Sequence, residues 1–115
     1  MSFKDIGIVS PKYSVDKNGK RIFSVQEYNQ ALLCQNHTII NILDFEDDVE
    51  VNGKGGRCWV LYEMKDCPGI EYKFCTSSKL IRQKLMKVRE KNLLPVNDTF
   101  LFRVDKSGRY TYDLD

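Results

Sequence analysis

The chain has 115 residues, 42% hydrophobic and 30% charged, enough for one domain with a real core and too apolar for a disordered segment. A net charge of +2, from 18 basic and 16 acidic residues, excludes a simple polycationic coat for nucleic acid. No run approaches the roughly 20 apolar residues of a membrane span, and the stretch from Met1 to Gly7 lacks the apolar core of a signal peptide, so a cytoplasmic protein with no membrane partner is expected.

Residues 1–12 carry little pattern and read as an irregular or extended lead-in. Asn18-Gly19 then gives a strong hairpin signal, because both residues tolerate positive φ. The same turn chemistry returns late in the chain, where Val104-Asp105-Lys106-Ser107-Gly108-Arg109 matches Val15-Asp16-Lys17-Asn18-Gly19-Lys20. Ser24 with Glu27 three residues on forms a capping box, and Phe23 stands where a hydrophobic staple would reach Tyr28. These signals predict a helix to about Leu33, with Val25, Tyr28 and Leu32 along one face.

From His37 to Phe45 the pattern becomes that of a strand, rich in β-branched and apolar residues. It runs into the acidic stretch Glu46-Asp47-Asp48-Val49-Glu50, a glycine loop from Asn52 to Gly56, and a second strand from Arg57 to Met64. Asp66, Pro68 and Gly69 mark a turn before a third strand, Ile70 to Thr76, that alternates cleanly. Thr76-Ser77-Ser78 are good caps for a helix that turns Leu80, Ile81, Leu85 and Val88 inward and ends near Asn92. Two strands follow, Thr99 to Val104 and Arg109 to Leu114. The predicted fold is α+β: a small five-stranded OB-like Greek-key barrel over residues 37–115, with a helix between strands three and four. An N-terminal extension, 1–36, adds a hairpin and a helix to the same single domain, 1–115.

The segment Glu71-Tyr72-Lys73-Phe74-Cys75-Thr76-Ser77-Ser78, leading into Leu80 and Leu85 and then Leu94-Pro95 and a closing strand, resembles small OB-fold single-stranded-DNA-binding proteins of phages and mobile elements. The resemblance covers about residues 37–114 and implies a non-enzymatic DNA-binding module.

Strand alternation suggests where such a module would bind. Cys58, Val60, Tyr62 and Met64 form an uncharged row and belong to the core, which leaves Arg57, Trp59, Leu61 and Glu63 outward. The same logic turns Lys73, Leu101, Arg103, Arg109 and Thr111 outward. Arg57, Trp59, Lys73, Arg103 and Arg109 are thus the expected nucleic-acid-binding set. Trp59 would stack on bases, at about 1–3 kcal/mol per base, and the cations would follow phosphates. Lys79, Arg82, Lys84, Lys87, Arg89 and Lys91 oppose only Glu90 on the long helix, as a solvated face or an electrostatic track.

A competing reading rests on Asp44, Glu46, Asp47, Asp48 and Glu50, carboxylates that repel phosphate and would suit a basic host protein, as in phage counter-defence inhibitors. Small OB modules also often work as multimers, so a homo-oligomer is a further candidate assembly.

Catalytic and metal chemistry find little support. Cys34, Cys58, Cys67 and Cys75 form no CxxC pair and the sole histidine, His37, adds one weak pairing with Cys34, so free thiols and no metal or other cofactor are expected. The acidic stretch lacks EF-hand spacing, and the Gly53-Lys54-Gly55-Gly56 loop is not followed by the Lys-Ser/Thr pair of a phosphate loop. Glu71-Tyr72-Lys73 with Asp48 or Asp66 imitates a metal-nuclease triplet, but Glu63-Met64-Lys65 fits equally well. No nucleophile elbow is present, and Cys34 with His37 has no orienting acid. A non-enzymatic binding protein is the expectation.

Overall fold

The computed structural model describes residues 12–115, so the lead-in expected over 1–12 lies, but for Lys12, outside the described residues. A hairpin of β1 (Tyr13–Val15) and β2 (Arg21–Phe23) is followed by β3 (Gln26–Glu27) and α1 (Gln30–Gln35). Three long strands come next: β4 (Ile40–Val51), β5 (Lys54–Met64) and β6 (Cys67–Thr76). Then follow α2 (Lys79–Glu90), β7 (Val96–Thr99), β8 (Leu101–Lys106) and β9 (Arg109–Leu114). The main sheet runs β3-β6-β5-β4-β7, and β1–β2 and β8–β9 form separate two-stranded sheets. The fold is α+β and mostly strand, and these sheets do not close into a barrel.

Turn chemistry explains much of this order. Asn52 and Gly53, at φ +53° and +78°, make a two-residue turn that sets Val51 opposite Lys54. The expected five-residue glycine loop therefore shrinks to two residues, and Lys54-Gly55-Gly56 joins the strand. Ser107 and Gly108 are both at positive φ and close β8–β9 in the same way. The similar string near the N-terminus folds differently. There only Gly19 is at positive φ, while the Asp16 carboxylate accepts the backbone N–H groups of Asn18 at 2.9 Å and Lys20 at 2.8 Å.

The first predicted helix starts late. Gln26 and Glu27 pair in parallel with Tyr72 and Lys73 of β6, and the Tyr28 N–H donates to the Lys73 carbonyl at 2.8 Å. Sheet pairing thus holds the backbone extended past Ser24, and Asn29 becomes the cap, its side chain accepting the Ala31 N–H at 2.7 Å. Leu32, expected inward, is 43% exposed, and Leu33 is buried instead. The second helix begins as expected, capped by Ser78.

The main sheet carries a core on each face. Cys58, Val60, Tyr62 and Phe74 pack against Leu33, Ile81, Leu85, Leu101 and Leu114 beneath the helices and the β8–β9 hairpin. On the other face Phe23, Val49, Trp59 and Leu61 form a second cluster under β2. A bulge in β4 serves both. Ile42 stands opposite Tyr62 but Asp44 opposite Leu61, so Ile42 and Phe45 reach the first core while Leu43 packs on the second.

The open sheet has a local cause. Ser78 donates its hydroxyl hydrogen bond to the Tyr112 carbonyl, and the Lys84 ammonium donates to the Leu114 carbonyl at 2.7 Å. The cap and a lysine of α2 thus occupy carbonyls on the edge of β9 that a further strand would need.

Candidate nucleic-acid interface

The five sequence-predicted binding residues do not share a face. Trp59 is only 5% exposed and Leu61 only 7%, which corrects their assignment to solvent. The row opposite the core row is indeed a separate face, but the N-terminal hairpin covers it. Arg21 of β2 anchors that cover. Its guanidinium donates to Asp44 at 2.7 Å and to Glu46 at 2.9 Å, and lies 5.5 Å and 5.6 Å from the Tyr13 and Phe23 rings. Burial works against its charge, but the bonds to Glu46 and Asp44 outweigh that and raise its pKa. Lys73 is inside the same assembly, its ammonium 4.5 Å from the centre of the Trp59 ring and donating to the Phe23 carbonyl at 2.8 Å. Arg57 is half-buried and stands opposite Val49 of this face.

The acidic segment is also largely engaged. Asp44 and Glu46 hold Arg21, and Asp44 also lies 3.6 Å from Arg89. Asp47 receives Arg82 at 2.6 Å, which raises the arginine's pKa. Glu50 pairs with Lys17 at 3.0 Å. Among the described residues only Asp48 of the five makes no ion pair; it is exposed at a second irregularity of β4, with φ +55°. Charge-dense in sequence, this stretch is mostly the acidic half of internal pairs in space.

Arg103 and Arg109 lie on opposite faces of the β8–β9 hairpin. Register sets Leu101 opposite Leu114, Arg103 opposite Tyr112 and Asp105 opposite Tyr110. Leu101 is fully buried at the base of this row, so its outward assignment is corrected too, whereas Arg103 further along is exposed. Its guanidinium sits 3.6 Å from the centre of the Tyr110 ring, which is itself 52% exposed. Tyr110 meets Tyr112 edge-on, with ring centres 5.6 Å apart. Burial, with the Tyr110 hydroxyl beside it, raises the Tyr112 phenol pKa. Tyr110 and Tyr112 were not predicted; the alternation Arg109-Tyr110-Thr111-Tyr112 was the available signal. The other hairpin face turns to α2, where the Thr111 hydroxyl donates to Ser78 at 3.3 Å.

Three of the five cations of α2 are used internally. Arg82 holds Asp47, Lys84 holds Asp113 at 3.0 Å, and Arg89 donates to the Phe45 carbonyl. Lys79, Lys87 and Lys91 remain exposed and, with Gln83, follow one another at multiples of four residues. They therefore trace one stripe about 18 Å long at 1.5 Å per residue, beside an open depression of about 660 Å³ lined in part by Lys79, Gln83, Met86 and Lys87.

The cysteines are free, with Cys58 buried, Cys34 and Cys75 half-buried and Cys67 exposed. Burial pushes the Cys58 thiol up to about 12. Among the described residues, no group of three or more histidine, cysteine or carboxylate side chains is placed to hold a metal ion, and no helix is long and apolar enough to cross a membrane. Of the nuclease-like triplet, Lys73 is held against Trp59 and the Phe23 carbonyl, and Glu71 stands opposite Glu63.

These features define a small, strand-rich α+β domain with one aromatic and cationic hairpin and one lysine-striped helix. The chain belongs to the family described as Domain of unknown function (DUF8468), whose family model matches residues 34–114, from the end of α1 through β9. No curated protein and no solved structure matches it.

Proposed function

We propose that the protein binds single-stranded nucleic acid without catalysing a reaction on it, through the β8–β9 hairpin rather than through Trp59. The observation that carries this reading is the exposed ladder of Arg103 on Tyr110 and Tyr110 against Tyr112. Exposed aromatic faces accept any base, and adjacent cations accept its phosphate. Lys106 and Arg109 are exposed at the hairpin tip and Lys79 at the start of α2, cations a strand could reach beyond the ladder face. An OB-like reading is supported by the order of three long strands and a helix before the closing strands, and by the antiparallel pairing of β4 with β7. On this reading the barrel is left open at β9, and the protein works in the cytoplasm like the OB-fold proteins of phages and mobile elements that its sequence resembles. Docking of a basic protein on residues 44–50 is less favoured, because Arg21, Arg82, Arg89 and Lys17 already engage four of the five carboxylates.

Fluorescence anisotropy with labelled polythymidine and polyadenosine strands across a salt series tests this. Affinity is expected to fall as salt rises, and Tyr110→Ala and Arg103→Ala are each expected to weaken binding about tenfold. Trp59 emission is expected to change little, since its ring is covered. An unchanged oligonucleotide signal at low salt, or full-strength binding by both variants, would overturn the proposal.

A further inference from the structure

A cleft of about 410 Å³ lies between α1 and the β8–β9 hairpin, lined by Ala31, Cys34, Gln35, Arg103 and Tyr112. We infer that this cleft takes one unstacked nucleobase of the bound strand. The inference rests on the proposed function and specifies how one part of the ligand is recognised.

Continuity is the first argument. Arg103 and Tyr112 line the cleft and also belong to the ladder around Tyr110. A strand with one base stacked on the exposed Tyr110 ring therefore runs past the cleft mouth, where a neighbouring base can turn in. Bases of single strands are commonly splayed out in this way, stacked on an aromatic or guanidinium plane and hydrogen-bonded along an edge.

The lining is the second. Ala31, Cys34 and Gln35 are spaced i, i+3 and i+4, so α1 presents them on one face. Ala31 and Cys34 are small and leave the space open. Tyr112 supplies an aromatic wall, and the exposed Gln35 offers an amide donor and acceptor side by side, the pattern that pairs with a base edge. The volume lies within the range of small-ligand sites, and the lining mixes an apolar wall with a few convergent polar groups, as such sites do.

The third argument is charge. Among the described residues Arg103 is the only charged side chain of the lining, and no carboxylate lines the cleft to repel the ligand. A cleft meant for a cationic ligand would lack this arginine.

The test compares three variants in the full chain, using polyadenosine strands with and without a single abasic position. Ala31→Trp fills the cleft from an exposed helix position, Gln35→Ala removes the amide, and Tyr110→Ala removes only the outer stacking plate. For the unaltered protein, an abasic site at one position of the strand should weaken binding about tenfold. Ala31→Trp should weaken binding to the intact strand to a similar extent and abolish the abasic effect, and Gln35→Ala should reduce that effect. Circular dichroism confirms folding, and Gln35→Ala stands in if Ala31→Trp does not fold. If Ala31→Trp and Gln35→Ala bind within about twofold of the unaltered protein and keep the abasic effect, the cleft holds no base. Tyr110→Ala then reports separately on the hairpin: weakened binding leaves the proposed function standing without the cleft. Absence of oligonucleotide binding by the unaltered protein removes both.

Discussion

Two of the molecule's stacks of a cation on an aromatic ring differ mainly in what covers them. Lys73 lies over Trp59 at 4.5 Å on the main sheet, and Arg103 lies over Tyr110 at 3.6 Å on the β8–β9 hairpin. Trp59 is 5% exposed and Tyr110 is 52% exposed. The first pair is sealed by the β1–β2 hairpin, and its ammonium is spent on the Phe23 carbonyl. The second is open to solvent and to a ligand. One pairing can thus join two layers of a fold or present a binding surface, and the covering segment decides which.

The largest test of this contrast is Trp59→Ala. Truncating a buried aromatic costs about 3–5 kcal/mol, a large share of a small domain's stability, whereas removing the exposed Tyr110 ring costs little stability. Denaturant unfolding of Trp59→Ala and Tyr110→Ala would show the difference, and similar losses for the two would erase the distinction. Trp59→Phe is expected to cost far less than alanine. The indole N–H has no hydrogen-bond partner among the described residues, so removing it relieves an unmet group worth about 1–3 kcal/mol while most of the ring remains.

Sequence alone carried the strand alternation far enough to find both rows of β5, since Cys58, Val60 and Tyr62 do enter the core. It did not show that the second row is also buried. That burial depends on Phe23 and Arg21 reaching residues more than twenty positions away, and local periodicity contains no such contact. The helix boundary failed for a related reason: Ser24 and Glu27 satisfy the capping pattern, but pairing of Gln26 and Glu27 with β6 overrides it. The acidic run was plain in sequence while its partners were not, because Arg21, Arg82 and Arg89 arrive from a hairpin and a helix on either side of it. The order of three long strands, a helix and a closing hairpin was legible because capping at Ser78 and the turns at Asn52-Gly53 and Ser107-Gly108 are set by neighbouring residues, whereas β7 was missed and the strand expected from Thr99 to Val104 begins at Leu101.

Arg21→Gln gives the next largest effect and tests whether the cover itself is held by charge. Its side chain is 30% exposed and donates to two carboxylates and to the Phe45 carbonyl. Breaking that arrangement is expected to cost about 2 kcal/mol. The loss should be local, freeing the hairpin before the main sheet, so Trp59 emission should shift to the red at denaturant concentrations where the strand signal in circular dichroism persists. Coincident transitions for the two probes would show that the hairpin and the sheet unfold as one unit.

The smallest effect concerns the turn that shapes the hairpin. The Lys20 N–H, followed by those of Asn18 and Glu50, lowers the Asp16 carboxyl pKa from its ordinary 3.8, with partial burial opposing. A depressed folded-state pKa means that the unfolded chain binds the proton more readily, so the stabilisation is complete above the ordinary value and is lost as pH falls through the folded one. Asp16→Asn should therefore melt below the unaltered protein at neutral pH, by a difference that narrows below about pH 4 as Asp16 takes up its proton. Melting curves followed by Trp59 fluorescence across that range provide the check, because the hairpin lies directly over this ring. A gap that stays constant into strong acid would mean that the turn depends on the shape of the side chain and not on its charge.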